Sequence, residues 1–136
     1  MTIILALFLA AADVSSVKAE PNLPKRSELA LENANEALDE ARTAYQSGNV
    51  QQTDADLAQV RELVDVSFDA LENSGQQPRK SKYYKRAEIA LRKMLRRLSG
   101  FRDEMSVDDR KPLDDVAARV QEVHDRLLSE IMTKKR

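Results

Sequence analysis

The sequence contains no cysteine and no tryptophan, and it has few glycines, prolines and aromatic residues. The absence of cysteine excludes disulfide scaffolds, thiolate metal sites, covalently attached c-type haem and catalytic thiols. Three glycines, four prolines and an aromatic fraction of 4% disfavour a β-sandwich or barrel, because such folds need many turns and aromatic or β-branched strands. An all-α fold is therefore expected.

The chain has a single histidine, His124, which disfavours metal-dependent and catalytic functions. A di-iron four-helix bundle needs two Glu-x-x-His motifs, and no glycine-rich phosphate loop, Gly-x-Ser-x-Gly elbow or zinc-protease motif occurs. Acidic residues four apart, such as Glu32 and Glu36, are typical of any acidic helix, and no carboxyl pair is expected to share a proton. The sequence predicts a non-enzymatic protein with no catalytic residue, metal ligand or cofactor.

The first 19 residues resemble a cleaved export signal in their pattern. Residues 3–12 form an apolar run that is too short for a membrane span, which needs about 20 residues. Val17 and Ala19 are small residues at the −3 and −1 positions of a leader-peptidase site. No lysine or arginine precedes the run, which departs from the usual pattern, and a helix packed on the domain is the alternative. We expect residues 1–19 to be removed, leaving one periplasmic or secreted domain at 20–136.

Apolar residues recur at spacings of three and four along the rest of the chain, which indicates amphipathic helices. Ser27 is a plausible N-cap of the first helix, and Pro78 suits the first turn of the third. Pro112 is expected about one and a half turns into the fourth helix and should kink it. The four helices are predicted at about 27–47, 50–73, 78–105 and 107–132.

Each predicted helix has one apolar face, and the breaks between the helices are short. Short connections favour antiparallel neighbours, so the predicted fold is an all-α, antiparallel up-down four-helix bundle. Two long helical hairpins associating as a dimer are the alternative, because the alanine-rich first helix could approach another chain closely. A homodimer is therefore a possible assembly.

The overall charge of −1 conceals two oppositely charged parts of the chain. Between residues 28 and 72 there are eleven acidic and two basic residues, a net charge of −9. Between residues 79 and 102 there are ten basic residues and one acidic residue, a net charge of +9. Basic residues that flank the apolar stripe of the third helix are expected to pair with the acidic helices. These flanking residues are Arg79, Arg86 and Arg97.

A second set of residues on the third helix points away from its apolar stripe, too far round to be fully covered by neighbouring helices. Ile89 falls among the bases of this set, although a solvated face should not need it. We interpret this set as a candidate binding surface for an anionic partner. Its members are Lys82, Lys85, Ile89, Arg92, Lys93 and Arg96.

For an exported chain, the expected partner is an anionic envelope component or another protein. Nucleic acid is disfavoured by the export signal and by the lack of aromatic residues interleaved with these bases. The sequence predicts an exported, non-enzymatic interaction protein. The alternative is a bundle that binds a small ligand or cofactor in its core, with His124, Tyr45 and Tyr84 as polar anchors.

Overall fold

The computed structural model describes residues 14–133, and all regular secondary structure within them is helical. The apolar run at residues 3–12 lies outside these described residues. The four long helices are α1 (Leu23–Gln46), α2 (Val50–Glu72), α3 (Lys82–Glu104) and α4 (Lys111–Met132). They pack against one another, so the predicted all-α four-helix bundle is confirmed.

The start of α1 differs from the prediction. The helix begins at Leu23 rather than near Ser27, because the side chain of Asn22 accepts a hydrogen bond from the Lys25 backbone N–H (3.1 Å). Ser27 is instead a buried residue of α1, and its hydroxyl is hydrogen-bonded to that of Ser67 in α2 (2.7 Å). Serine often caps helices, but here Ser27 links α1 to α2.

The start of α3 also differs from the prediction. Residues 73–81 form a linker that contains Pro78, and α3 begins at Lys82. The hydroxyl of Ser81 accepts hydrogen bonds from the backbone N–H groups of Tyr83 and Tyr84. This cap satisfies donors that the first turn of a helix leaves free, so the helix starts after Ser81 and not at the proline.

Pro112 does not kink the fourth helix. A short 3-10 turn occupies Val107–Asp109, and α4 begins only at Lys111, which places Pro112 in its first turn. Proline is tolerated there because the first N–H groups of a helix have no intrahelical partner. The predicted helix at 107–132 is therefore a 3-10 turn followed by a regular α-helix.

The two helical hairpins lie side by side, so that α1 lies beside α3 and α2 lies beside α4. α1 packs against α2 and α3, and α4 packs against α2 and α3. Ion pairs join Glu28 to Arg86 and Asp39 to Arg97, so α1 and α3 run parallel. Consecutive helices alternate in direction as predicted, but the linker carries the chain diagonally across the bundle, so α2 and α3 are not packed neighbours.

One hydrophobic core runs through the bundle. α1 contributes mainly alanines to it, and the contact between α1 and α2 is the most extensive of the helix pairs. Most of the larger buried side chains come from α2, α3 and α4, and they include Leu57, Phe101, Met94 and Leu113. Burial of apolar area stabilises by about 25 cal/mol per Å², so these three helices supply most of the core energy.

A short helical stretch at residues 14–18 also contacts the core. Val14 and Val17 are buried, with 7% and 2% of their surfaces exposed. Lys18 forms an ion pair with Glu62 of α2 (3.0 Å). This stretch therefore packs on the bundle as the alternative interpretation of the N-terminus expects, while removal of residues 1–19 stays a prediction. Among residues 14–133, no helix has the length and apolar character needed to cross a membrane.

Candidate interaction surface on the third helix

The outward side of α3 carries all six residues of the predicted binding surface. We call this set the basic face: Lys82, Lys85, Ile89, Arg92, Lys93 and Arg96. The structure leaves each of the six exposed to solvent. At 1.5 Å of rise per residue the face extends for roughly 20 Å along the helix. The helical spacing in the sequence therefore predicts correctly that these residues are exposed on the outward side of α3.

Two members of the basic face have interactions within α3. The guanidinium of Arg92 forms an ion pair with Glu88 one turn earlier (3.1 Å). The ammonium group of Lys82 lies over the ring of Tyr83, 5.3 Å from the ring centroid. Exposed contacts of this kind contribute about 0–1 kcal/mol each, so either group could exchange its contact for a stronger partner.

The remaining three bases, Lys85, Lys93 and Arg96, make no side-chain hydrogen bond or ion pair within residues 14–133. They lie around Ile89, whose side chain is 40% exposed. The centre of the basic face is thus an exposed aliphatic side chain surrounded by unpaired positive charge.

The bases that flank the core stripe behave differently from the basic face. Arg86 forms an ion pair with Glu28 (2.9 Å). Arg97 forms an ion pair with Asp39 and donates a hydrogen bond to the side-chain oxygen of Asn35 (2.7 Å). The predicted pairing of flanking bases with the acidic helices is confirmed for these two arginines.

The two hydroxyl groups proposed as anchors of a core ligand lie at opposite ends of the bundle. Tyr45 donates to Asp109 (2.9 Å) and its ring meets Phe101 edge-on. The hydroxyl oxygen of Tyr84 lies 3.1 Å from the backbone carbonyl oxygen of Leu71. The segment of α3 from Tyr84 to Phe101 spans roughly 25 Å, so the two tyrosines do not converge on one ligand.

The third proposed anchor, His124, is buried between two carboxylates. Its Nε2 lies 2.8 Å from Glu88 of α3, and its Nδ1 lies 3.2 Å from Asp125. A hydrogen bond from Gln121, followed by the contact with His124, lowers the pKa of Asp125. Although His124 and Asp125 are adjacent in a helix, their side chains reach each other. The imidazole joins α4 to α3, which is a structural role.

Two carboxyl groups lie close together at the end of the bundle where α2 and α4 finish, although no sequence pattern links them. The side chain of Glu130 lies close to that of Glu72, and Tyr84 donates to Glu72 (2.9 Å). Burial, and then the neighbouring Glu72, raise the pKa of Glu130 to about 7. Burial and the same carboxylate raise the pKa of Tyr84. The expectation that no carboxyl pair shares a proton stays a prediction.

These groups line an open cleft of about 840 Å³. The linker contributes polar and basic side chains to the lining of the cleft. The lining residues from the linker are Gln76, Gln77, Pro78, Arg79 and Lys80. Across residues 14–133, no group of three or more potential ligand side chains is arranged to hold a metal ion.

Replacing Glu130 by glutamine is expected to stabilise the protein at alkaline pH. Because its pKa is raised, the folded state binds the proton more tightly than the unfolded state, and stability falls as pH rises from about 4.5 to about 7. After allowance for solvent screening, the gain in unfolding free energy above pH 7 should be about 1–2 kcal/mol. Urea unfolding at pH 5 and pH 8 measures this effect.

The variant Glu36→Gln controls for the change in net charge, since Glu36 is an exposed residue of α1 without a side-chain partner within residues 14–133. It should leave the pH dependence of unfolding unchanged. An equal gain for Glu130→Gln at both pH values would contradict a raised pKa as the cause.

Comparison with known proteins finds no matching family model, no similar curated protein and no similar solved structure. The charge and geometry of the surface itself therefore carry the functional argument.

Proposed function

We propose that this chain is an exported, non-enzymatic helical interaction protein whose basic face on α3 binds an anionic partner. The observation that carries the proposal is the unpaired, exposed positive charge of Lys85, Lys93 and Arg96 around Ile89. Export is supported by the apolar run at residues 3–12 and by the small residues Val17 and Ala19. A chain in that compartment meets anionic lipid head groups, envelope polymers and other proteins.

The charges of the basic face differ from ordinary solvated charges in their distribution. Acidic residues from α1 reach the bases that flank the core stripe, but they leave the outward side of α3 unneutralised. At physiological ionic strength a charge is screened over about 8 Å. Lys82 and Lys85, and likewise Lys93 and Arg96, are about 4.5 Å apart along the helix axis, so an anionic surface would experience each pair together.

Binding to lipid vesicles tests the proposal with a defined anionic probe. The full chain should bind vesicles that contain phosphatidylglycerol at low salt and bind less well at about 0.15 M salt. Each basic residue near an anionic surface contributes about 1 kcal/mol. The variant K85S/K93S/R96S should therefore bind roughly 100-fold more weakly. The affinity is measured by co-sedimentation with the vesicles or by the fluorescence anisotropy of a dye-labelled chain.

A matched control removes the same number of positive charges from other helices. Lys25, Arg61 and Lys111 are exposed residues of α1, α2 and α4, and K25S/R61S/K111S has the same net charge as the test variant. This control should lose much less affinity. Equal losses for both variants would show that net charge alone matters.

Vesicles of neutral lipid provide the second control. The apolar run at residues 3–12 would bind neutral and anionic vesicles alike and with little dependence on salt. Binding through the basic face requires anionic lipid and weakens with salt. If the test variant binds anionic vesicles as tightly as the unaltered chain, the basic face is not the binding surface.

A further inference from the structure

We propose that the basic face also binds a second copy of this chain, through the acidic outer side of α1, and that the two copies form a symmetric dimer. This inference rests on the proposed function, because it names an anionic partner for the same basic face. In the dimer, α1 of each copy lies over α3 of the other, and the two-fold axis runs parallel to the helices.

The outer side of α1 has the charge that such a partner needs. Glu32 and Glu36 lie on it, both exposed and without a side-chain partner in the described part of the chain. Since α1 and α3 are parallel neighbours, one surface of the bundle presents an acidic row beside a basic row. Lys25, which lies on the same side of α1, is paired with Glu20 (3.8 Å).

Symmetry makes this surface complementary to itself. A two-fold axis parallel to α1 and α3, and midway between them, exchanges the positions of the acidic and basic rows when two copies face each other. Each acidic row then meets a basic row, and the same contact is made twice. An interface of this kind is isologous and closes at two copies rather than continuing into a filament.

The axial positions of the charges agree with this arrangement. The pairs Glu28–Arg86 and Asp39–Arg97 show which residues of α1 and α3 lie at the same height. By this register Glu32 lies level with residue 90 and Glu36 with residue 94. The two-fold axis keeps these heights, so Glu36 of one copy lies within about 5 Å along the axis of Lys93 and Arg96 of the other.

The size of the surface is sufficient for a specific dimer. Two adjacent helices, each about 34 Å long and about 10 Å wide, would bury roughly 1,400 Å² in total, within the usual range for protein interfaces. The net charge of −1 means that two copies do not repel each other at long range. The central contacts are ionic, so the association should weaken strongly with salt.

Charge reversal in pairs tests the dimer. The mass of the full chain is measured by sedimentation velocity and light scattering over a range of concentrations at low salt. We expect a monomer–dimer equilibrium for the unaltered chain. The dissociation constant of the dimer should be at least tenfold larger for K93E/R96E and for E32K/E36K. The chain carrying all four changes has the original net charge and should regain the dimer, because both rows are reversed together.

Mixing the two double variants gives an independent result. Each alone places like charges opposite each other, whereas a mixed pair places opposite charges at both contacts, so an equimolar mixture should form a heterodimer. A dimer that persists in K93E/R96E, or a four-fold variant that stays monomeric while folded by circular dichroism, would overturn the inference.

The failure of this inference can be distinguished from failure of the proposed function. If the unaltered chain is monomeric at every concentration while K85S/K93S/R96S loses binding to anionic vesicles, the basic face binds another anionic partner and the dimer is wrong. If the dimer forms as expected but the vesicle affinity is the same for both serine variants, the face serves self-association instead of a lipid surface.

Discussion

Replacing both Val14 and Val17 by serine is expected to lower the free energy of unfolding of the full chain by about 3 kcal/mol. The two side chains lie in the core, with 7% and 2% of their surfaces exposed. Burial of a valine side chain stabilises by about 1.5 kcal/mol or more relative to exposure, and serine adds a hydroxyl that needs a hydrogen-bond partner. Urea unfolding of the purified, uncleaved chain measures the loss.

The same stretch supplies its own control. Ser15 and Ser16 are exposed, so S15A/S16A should change the unfolding free energy by less than about 0.5 kcal/mol. If V14S/V17S has an equally small effect, the stretch at residues 14–18 contributes nothing to the folded domain.

This measurement bears directly on export. Cleavage after Ala19 would remove Val14 and Val17 together with the ion pair between Lys18 and Glu62. The chain 20–136 should then be less stable than the full chain by a similar amount. The N-terminal sequence of the chain recovered from cells decides between a processed domain that tolerates this loss and an unprocessed one that keeps its N-terminal stretch.

Replacing Phe101 by alanine is expected to lower the free energy of unfolding by about 3–5 kcal/mol. Phe101 is 1% exposed, and its ring contacts that of Tyr45 with a centroid separation of 6.0 Å. The substitution removes apolar area and leaves a cavity that the surrounding helices only partly close. For a domain of this size the melting temperature should fall by roughly 10–20 °C.

Phe68 of α2 provides a matched comparison. Its ring is only partly buried against the core, and it lies beneath the guanidinium of Arg126 at 5.7 Å from the ring centroid. Because solvent and the arginine can occupy the space, Phe68→Ala should cost much less than Phe101→Ala. A similar loss of unfolding free energy for both variants would indicate that Phe68 is as fully part of the core as Phe101.

The fold could be predicted because apolar spacing depends on local geometry alone. A stripe such as Leu91, Met94 and Leu98 recurs with the period of an α-helix, and each such stripe must be buried against another. The ends of the helices were harder to predict. Asn22 and Ser81 set two of these ends by accepting one or two hydrogen bonds, and Pro112 sets another because it lacks an N–H group, although several nearby residues are equally suitable by type.

The composition of the basic face was also predictable, since a helical wheel places Lys85, Ile89 and Arg96 opposite the core stripe. Which acidic residues neutralise the flanking bases was not predictable. Pairing depends on which helix lies beside α3, and the linker at residues 73–81 places α1 there instead of α2. The result is that acidic residues of α1 neutralise Arg86 and Arg97, whereas Lys85, Lys93 and Arg96 have no ion pair within residues 14–133.

Local sequence patterns are sufficient to predict the all-helical class, the approximate positions of the four helices and the opposite charges of the first hairpin and the third helix. These follow from residue type and from periodicity along one chain. Packing between helices produces the parallel pairing of α1 with α3, the contact of His124 with Glu88 and the raised pKa of Glu130 beside Glu72. Each of these joins residues that are distant in sequence, and their electrostatics depend on separations that only packing sets.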